Sequence, residues 1–276
     1  MGFTIQQKRA AFKALHAQGC FLLPNPWDVG SALFLQSLGF KALASTSSGF
    51  AWSQGRADNT VPRATVLAHL RSLVEATNLP INADFEDGFA SDPSGVAESV
   101  RMAVDTGVAG LSIEDSTRNP DAPLRSLDDA VARMRAARAA IDETGGDTLL
   151  VGRAENFIVG RPDLDDTIVR LKAYAQAGAD CLYAPGIHTR AQITAIIAAV
   201  SPKPVNLLIG STSEFTLQDV TAMGVRRISV GGGLARTAWG GAQRAARTLL
   251  ESGRFDDFAG AMPHQELNAL FQNTAR

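Results

Sequence analysis

The sequence predicts a fold of the α/β class, a closed (β/α)8 TIM barrel in which eight parallel strands alternate with helices. Short apolar runs alternate with longer amphipathic runs along almost the whole chain, which is typical of βαβ units and a parallel sheet. The apolar runs are continuous, as expected for strands that are covered on both faces. Eight such repeats fit within the 276 residues, and this length suits the barrel.

The individual elements follow from local signals along the chain. Glycines end many of the predicted helices, since glycine readily takes the left-handed conformation that closes a helix, and Pro62 suits the first turn of a helix. The closing glycines are Gly19, Gly39, Gly107, Gly178 and Gly224. The predicted strands are 20–23, 41–44, 80–83, 110–113, 148–152, 180–184, 204–208 and 227–230. The predicted helices are 4–18, 29–38, 61–77, 93–105, 126–143, 164–177, 190–200, 214–223 and 234–251, with loops at 50–59 and 116–125.

A doubly wound open sheet is the alternative architecture. It is disfavoured because no G-x-G-x-x-G follows the first predicted strand. No linker rich in Pro, Gly and Ser divides the chain. We therefore predict one barrel domain with its N-terminal helix, residues 1–254, followed by a C-terminal helical tail, residues 255–276.

Composition narrows the class of protein. The chain is 45% hydrophobic and 20% charged with a net charge of −2, an ordinary soluble composition. Without a basic excess, neither nucleic acid nor an anionic membrane is an expected partner. No run approaches the ~20 apolar residues that span a membrane, and the N-terminus reads as an amphipathic helix rather than a signal peptide. Cys20 and Cys181 are expected to be buried reduced thiols, so a cytoplasmic location is predicted.

Three carboxylates follow the third predicted strand, in the stretch 79–88 with the sequence LPINADFEDG. Asp84 and Glu86 are two residues apart, so on an extended backbone they point to the same side. Together with Asp87 they repel one another unless a cation lies nearby. The stretch predicts a hard divalent cation held by oxygen atoms, most simply Mg²⁺. The alternative is a solvated acidic turn.

Polar residues also follow the other predicted strands. In such a barrel the C-terminal strand ends meet on one face, where the chemistry takes place. The residues expected there are Asn25, Asp28, the run 45–49, Asp58, Asp84, Glu86, Glu114, Arg153, Glu155, Asn206 and the run 231–233. Several acids facing Arg153 predict a metal site with an anionic ligand, because a planar guanidinium clamps a carboxylate or phosphonate well. Backbone N–H groups of 45–49 are candidate donors to the same anion.

Each of these residues also has a purely structural interpretation. Glu114 would cap the following loop, Arg153 and Glu155 would form a buried ion pair, and Asn206 would satisfy backbone groups. Their convergence on one face of the barrel favours a site over these separate interpretations. His188 lies near the same face, although an exposed histidine at a helix start is its default interpretation.

Several motifs together resemble the isocitrate lyase/phosphoenolpyruvate mutase superfamily. They are NPWDVGSA (25–32), STSSG (45–49), Asp58, NADFEDGF (82–89), SIED (112–115), GRAE (152–155) and ISVGGGLAR (228–236). The resemblance covers about residues 20 to 250, and its most specific parts are the acidic strand end and the I-E-D motif. It implies a modified (β/α)8 barrel, Mg²⁺ with Mn²⁺ as the alternative ion, and a 2-oxo acid bound through its carboxylate and keto oxygen.

The resemblance also assigns roles by position. Asp84 is expected to bind the metal directly, and Asp58, Glu86 and Glu114 through water. Many relatives have Asp where Glu86 stands. The expected substrate contacts are Ser45, Thr46, Ser47, Ser48, Gly49, Arg153 and Asn206. The residues expected to take part in catalysis are Arg153, Glu114, Asp58, Arg118 and Asn119.

The loop after the fourth strand departs from the pattern of several relatives. Members that cleave isocitrate or methylisocitrate carry Lys-Lys-Cys-Gly-His there, with cysteine as the general acid, and the mutase and phosphonopyruvate hydrolase branches carry lysine and asparagine. Residues 116–123 contain no Cys, Lys or His and offer only Arg118 and Asn119. A guanidinium is a poor proton donor at neutral pH. Reactions that need a proton from this loop are therefore disfavoured.

The predicted function is a Mg²⁺-dependent lyase that cleaves a C–C or C–P bond beta to the keto group of a small 2-oxo acid. Oxaloacetate decarboxylation is the first candidate, because CO₂ leaves without a proton and a chelated cation stabilises the remaining enolate. The alternatives are a non-catalytic 2-oxo acid binding or sensor protein, and a phosphonopyruvate-type hydrolase or mutase.

The tail after Gly253 carries apolar residues, among them Phe255, Phe258 and Phe271. Exposed apolar surface usually marks a partner. Members of the superfamily exchange a C-terminal helix between subunits, so the resemblance implies an exchanged helix in a homodimer or homotetramer. The alternative is a tail helix packed on its own barrel.

Overall fold

A barrel of eight parallel strands forms the centre of the protein in the computed structural model, which describes residues 2–274. The strands follow the order β1-β8-β7-β6-β5-β4-β3-β2 around the barrel, so the first and last strands of the chain are paired. They are β1 (Phe21–Leu23), β2 (Leu43–Ala44), β3 (Ile81–Asp84), β4 (Gly110–Glu114), β5 (Leu149–Arg153), β6 (Cys181–Tyr183), β7 (Val205–Leu208) and β8 (Arg227–Ser229). The predicted TIM barrel is confirmed and the open sheet is excluded.

Helix α1 precedes the first strand, and the other helices lie in the segments that follow the strands. They are α1 (Ile5–Leu15), α2 (Val29–Ser37), α3 (Ser47–Ser53), α4 (Arg63–Ala76), α5 (Pro93–Asp105), α6 (Leu127–Glu143), α7 (Leu164–Gln176), α8 (Arg190–Val200), α9 (Leu217–Ala222), α10 (Gly233–Ser252) and α11 (His264–Thr274). A 3₁₀ helix, Asp256–Gly260, joins the last two. Within residues 2–274, no helix has both the length and the apolar character that a membrane span requires.

The seam between β1 and β2 is nearly closed by two contacts at the C-terminal ends of the strands. The Ala44 N–H donates to the Pro24 carbonyl at 3.0 Å. The Asn25 amide donates to the Ser45 carbonyl at 2.9 Å, while its oxygen accepts the N–H groups of Val230 and Gly231, both at 2.9 Å. Asn25, predicted at the mouth, therefore links three strand ends and supports the shape of the site.

Helix α1 covers the opposite end of the barrel. Phe12 is fully buried, and a methyl group at Gly110 would lie 2.8 Å from its Cε1 atom. The buried Lys8 ammonium donates to the Val74 carbonyl at 2.7 Å and to the Thr77 carbonyl, at the end of α4. Because this end is sealed, the C-terminal strand ends form the accessible mouth.

One predicted loop is wrong. The segment 50–59 begins inside helix α3, which also takes in part of the predicted turn 45–49. Thr46 caps this helix, accepting the Gly49 N–H at 3.3 Å, and Phe50 and Ala51 are buried on its inner side. Gly49 is required because a Cβ atom there would lie 2.7 Å from Thr46 Cγ2. The cap and the buried face, rather than helix propensity, account for the element.

The C-terminal part of the chain leaves much apolar surface exposed. Among the described residues of α10, Ala235 is the buried one, whereas Trp239 is 55% and Leu250 86% exposed. Helix α11 lies against α2 of the same chain, where a methyl group at Gly30 would be 3.9 Å from Phe271 Cζ. Exchange of the tail concerns a second copy of the chain and stays a prediction.

Candidate active site

Three adjacent strands end in charged residues at the barrel mouth. Asp84, Glu114 and Arg153 are the last residues of β3, β4 and β5, and Glu114 is the register partner of Arg153. Parallel strands bring such ends together on one face. The structure therefore groups these three predicted residues as the sequence suggested.

Arg153 lies at the centre of this group. Its Nη1 atom lies 3.1 Å from Asp84 Oδ1 and 3.2 Å from Glu114 Oε2, and its Nε atom donates to Glu155 Oε1. Burial acts to lower the pKa of the guanidinium, but Glu155, Glu114 and Asp84 outweigh it and raise that pKa well above its ordinary value. Arg153 is thus a permanent cation with three carboxylate partners.

Three carboxylates, those of Asp84, Glu114 and Glu155, share the single guanidinium of Arg153. Burial raises the pKa of Glu114 well above its ordinary value, and the neighbouring Glu155 and Asp84 raise it further, although Arg153 opposes them. The pKa of Glu155 is also raised, mainly by burial. Buried carboxylates with raised pKa values gain from a further cation, because it offsets both burial and mutual repulsion.

Glu86 is paired with the loop after β4. Arg118 Nη2 donates to Glu86 Oε2 and lies 3.2 Å from Asp87 Oδ1. Burial raises the pKa of Glu86 to about 7, while Arg118 acts to lower it. Glu86 and Arg118 both have positive φ angles, 50° and 61°, a conformation that costs side-chain-bearing residues energy and is common at functional sites.

The other predicted loop residue does not reach this group. The Asn119 side chain accepts the N–H of Asp121 at 3.0 Å and is exposed. It therefore stabilises the turn of its own loop. A catalytic role for Asn119 stays a prediction, and this arrangement does not support it.

The run 45–49 contacts Asp84 through two groups. The Ser45 hydroxyl accepts the Asp84 N–H at 2.9 Å, and the Ser47 N–H donates to Asp84 Oδ2 at 3.0 Å. Thr46 and Ser48 hydroxyls lie 3.1 Å apart. In this arrangement Asp84 accepts the N–H group that was predicted to bind a substrate anion.

Asp58 lies on the exposed loop after α3, beside the same cluster. Partial loss of solvent and the neighbouring Asp84 raise its pKa, while a hydrogen bond from Ser47 lowers it. Its Oδ1 atom accepts the Asn59 N–H at 2.9 Å. The loop therefore brings a further carboxylate to the mouth.

The residues present carry the donor atoms that a hard divalent cation prefers. The four predicted ligands, Asp58, Asp84, Glu86 and Glu114, offer carboxylate oxygens, which Mg²⁺ prefers over nitrogen or sulfur. As they stand, three of the acids are paired with arginines, and within residues 2–274 no three Asp, Glu, His or Cys side chains already surround one point. Arg118 and Arg153 would have to release oxygen atoms when a metal binds.

A cavity of about 670 Å³ opens beside Asp58 at the C-terminal strand ends. Its wall includes Ser48, Asp58, His188, Gly232 and Arg236. His188 is exposed and lines this cavity near the C-terminal strand ends, as its position in the sequence suggested, and its Nδ1 atom lies 3.1 Å from the Gly186 carbonyl. Arg236 also lines the cavity, although the sequence analysis assigned it no role. The signal that could have pointed to it is a basic residue shortly after the triple glycine 231–233.

Two predicted residues have structural contacts instead. Asn206 is fully buried inside the barrel, where its oxygen accepts from Arg227 Nε at 2.9 Å and its amide donates to the Ser229 hydroxyl at 2.9 Å. Its predicted contact with substrate is not supported by this placement. Asp28 caps α2 by accepting the Ser31 N–H at 2.7 Å.

Known proteins resemble this chain over most of its length. The family model described as phosphoenolpyruvate phosphomutase matches residues 12–250. The chain is 30% identical over 203 residues to the 2-methylisocitrate lyase of Escherichia coli (strain K12), covering 70% of this chain and 67% of that protein. It is 30% identical over 238 residues to the oxaloacetate decarboxylase of Paraburkholderia xenovorans (strain LB400), covering 83% and 76%.

A solved structure is similar as well. The crystal structure of a protein from Burkholderia cenocepacia J2315, described as a lyase/mutase, matches with a TM-score of 0.95 at 44% identity and covers 98% of each chain. Fold, family match and relatives agree with the superfamily that the motifs indicated. The chain therefore belongs to the phosphoenolpyruvate phosphomutase family, within a superfamily of lyases and mutases.

Proposed function

We propose that this protein is a Mg²⁺-dependent lyase that cleaves the bond beta to the keto group of a small 2-oxo acid, with oxaloacetate as the first candidate substrate. The observation that carries the proposal is the convergence of Asp84, Glu114 and Arg153 at the mouth of a barrel sealed at its other end. Similarity to oxaloacetate decarboxylases supports the choice of substrate.

The residues have separate tasks in this proposal. Arg153 binds the substrate carboxylate next to the keto group, and Glu155 holds the guanidinium in place through Nε. Asp84, Glu114, Asp58 and Glu86 hold the cation, directly or through water. Bound Mg²⁺ supplies electrophilic stabilisation of the negative charge that develops on the keto oxygen.

The loop limits which reactions fit. Release of CO₂ from oxaloacetate needs no proton, and the enolate carbon then takes one proton. Since residues 116–123 contain no Cys, Lys or His, water is the proposed donor. The composition of this loop therefore suits decarboxylation better than a reaction in which the loop must protonate a large leaving group.

Cleavage of a phosphonate is the second candidate. It is favoured by Arg118, which forms an ion pair with Glu86 beside the acidic cluster. There the guanidinium would neutralise a phosphonate rather than donate a proton. Phosphonopyruvate is the substrate that tests this candidate.

A direct assay tests the proposal. Purified protein with Mg²⁺ is expected to turn over oxaloacetate faster than Mg²⁺ alone, and chelation by EDTA is expected to abolish the difference. Asp84→Asn is expected to lose at least about 100-fold in kcat/KM, since it removes the direct metal ligand. Glu98→Gln, which alters an exposed ion pair on α5, is the matched control and is expected to be unchanged. Rates on oxaloacetate and phosphonopyruvate no higher than the metal-only rate would contradict it.

Assembly and location form the last part of the proposal. We propose that α10 and the tail 255–276 pack against a second copy of the chain, giving a homodimer or homotetramer. The exposed side chains of Trp239, Leu250 and Phe255 support this proposal. A cytoplasmic location rests on the free thiols of Cys20 and Cys181.

A further inference from the structure

Asp115 is a buried carboxylate that lies behind the proposed site rather than in it. It follows Glu114 directly, and its side chain is 2% exposed. Its Oδ2 atom accepts from the Tyr174 hydroxyl and from Arg170 Nη1 at 3.1 Å, both on helix α7. Its Oδ1 atom accepts the Glu155 N–H at 2.8 Å. Each oxygen is therefore used, as a buried charge requires.

One branch of this network leads to Arg153. Asp115 fixes the backbone of Glu155, and the Glu155 carboxylate accepts from Arg153 Nε. Arg153 then reaches Asp84 and Glu114 through Nη1. The position of Asp115 therefore determines the position of the residue that orients the guanidinium.

A second branch leads to the loop after β4. Arg170 Nη1 also donates to the Arg125 carbonyl at 3.0 Å, and the Arg125 N–H donates to the Asp115 carbonyl at 2.9 Å. The Arg125 side chain lies 3.0 Å from Asp87 Oδ2, and the other oxygen of Asp87 lies 3.2 Å from Arg118. The end of the loop is thus tied to the same node as Arg153.

We call the loop 116–125 closed when Arg118 is paired with Glu86, as it is here. We propose that Arg170 is a positioning residue that couples this closed arrangement to the orientation of Arg153. Arg170 contacts both branches with one nitrogen, and its Nε atom is held by Asp166 Oδ2 at 2.7 Å on the same helix. The guanidinium is therefore tied at once to its own helix, to Asp115 and to the Arg125 carbonyl. The coupling means that a closed loop and a correctly oriented Arg153 occur together. Only the effect of this coupling on substrate binding rests on the proposed function.

Coupling between two sites is reciprocal. If an open loop loosens Arg153, then a change at Arg153 must also alter how often the loop opens. This reciprocity does not depend on which substrate the enzyme uses.

Arg138 provides a matched control. It lies on α6, its Nη1 atom is 3.1 Å from Asp180 Oδ2, and that oxygen also accepts the Leu150 N–H at 2.8 Å. Arg138 therefore supports β5 through a carboxylate just as Arg170 does, but at the opposite end of the strand. A variant that acts only by weakening the strand should behave alike at both positions.

The experiment compares Arg170→Lys and Tyr174→Phe with Arg138→Lys in the full-length protein. Tyr174→Phe removes a single hydroxyl and so keeps the test valid if Arg170→Lys folds poorly. Two quantities are measured: KM for oxaloacetate with Mg²⁺, and the rate at which trypsin cuts after Arg118 in the native protein, followed by mass spectrometry. Arg118 is one-third exposed in the closed arrangement, 33% by its side chain.

We expect Arg170→Lys to raise both KM and the cleavage rate by about 10-fold, the usual scale for a residue that orients a ligand-binding group. Tyr174→Phe should raise both in the same direction, and Arg138→Lys should change neither by more than about 2-fold. Arg153→Lys should in turn accelerate cleavage after Arg118.

Two results would overturn the coupling. In one, Arg170→Lys and Tyr174→Phe match Arg138→Lys in both quantities. In the other, Arg153→Lys leaves the cleavage rate unchanged. If neither oxaloacetate nor phosphonopyruvate is turned over, the proposed function fails, but the cleavage measurements on Arg153→Lys and Arg170→Lys still decide the coupling.

Discussion

We place two cations at the barrel mouth, the Arg153 guanidinium and Mg²⁺. Replacing Arg153 by methionine distinguishes their contributions to stability. Methionine keeps the apolar stem of the side chain, about as far as Nε, but lacks the charged guanidinium. Asp84, Glu114 and Glu155 then lose the guanidinium that contacts all three. We expect the variant to be much less stable without metal and to gain more stability from Mg²⁺ than the wild-type protein.

The structure sets the magnitude of this effect. The Arg153 side chain is 16% exposed, and Glu114 and Glu155 are 7% and 3% exposed, so the pairs are largely shielded from water. Breaking a buried ion pair by removing one partner costs about 3–5 kcal/mol. At about 2–4 °C per kcal/mol for a domain of this size, Tm should fall by roughly 6–20 °C. Mg²⁺ at 100 times its Kd restores about 2.7 kcal/mol.

Thermal unfolding of both proteins with MgCl₂, and with KCl at matched ionic strength, measures this effect. The wild-type protein should gain less from Mg²⁺ because Arg153 competes for the same oxygens. Arg138→Met is the control, since it removes an arginine with two acid partners away from the mouth. A Tm of Arg153→Met within about 2 °C of the wild-type value, or equal stabilisation of the variant by Mg²⁺ and KCl, would refute this prediction.

The remaining predictions concern three other parts of the chain. Burial lowers the pKa of His69 to about 4 from its ordinary 6.5, so the unfolded chain takes up the proton first and stability falls as pH drops from 6.5 towards 4, by about 3 kcal/mol. His69→Phe keeps the ring stacked on Phe50 at 3.7 Å and should flatten the fall of Tm between pH 7.5 and 4.5; an unchanged slope would contradict this. Arg118→Ala should slow turnover of a 2-oxo acid by about 10-fold, whereas Asn119→Ala should leave it unchanged. Steady-state kinetics on oxaloacetate and phosphonopyruvate measure this, and equal rates for the two variants would show that the assignment is wrong. Deleting 255–276 should shift the mass measured by light scattering from a dimer or tetramer towards a monomer, and a monomer before and after deletion would argue against exchange.

Much of the mouth could be predicted from the sequence because barrel geometry is simple. Once the alternation of elements indicates a barrel, the last residue of each strand must lie at the mouth, whatever the loops do. Asp84, Glu114 and Arg153 are such residues. Their grouping therefore needed no knowledge of side-chain packing.

Depth within the barrel was harder to predict. Asn206 is the second of four residues in β7, and each residue of a strand rises about 3.3 Å. Its side chain therefore lies below the mouth, where Arg227 and Ser229 satisfy it. The sequence leaves the end of a strand uncertain by one or two residues. That difference decides whether a side chain lies at the mouth or in the interior of the barrel.

Pairing among charged side chains was also beyond sequence reasoning. The guanidinium of Arg118 reaches Glu86 only because the loop folds back, with the Thr117 N–H donating to the Pro123 carbonyl at 2.9 Å. Helix α3 was missed for a related reason, because a run of Ser and Gly favours a loop until its buried face is known. Both features depend on tertiary contacts.

A crystal structure grown with Mg²⁺ and oxalate tests the central claim most directly. We predict an ion about 2.1 Å from an Asp84 oxygen, with Arg153 turned onto the oxalate and water between the ion and Asp58, Glu86 and Glu114. Arg153 still lying between Asp84 and Glu114, with neither ion nor oxalate at the mouth, would contradict it.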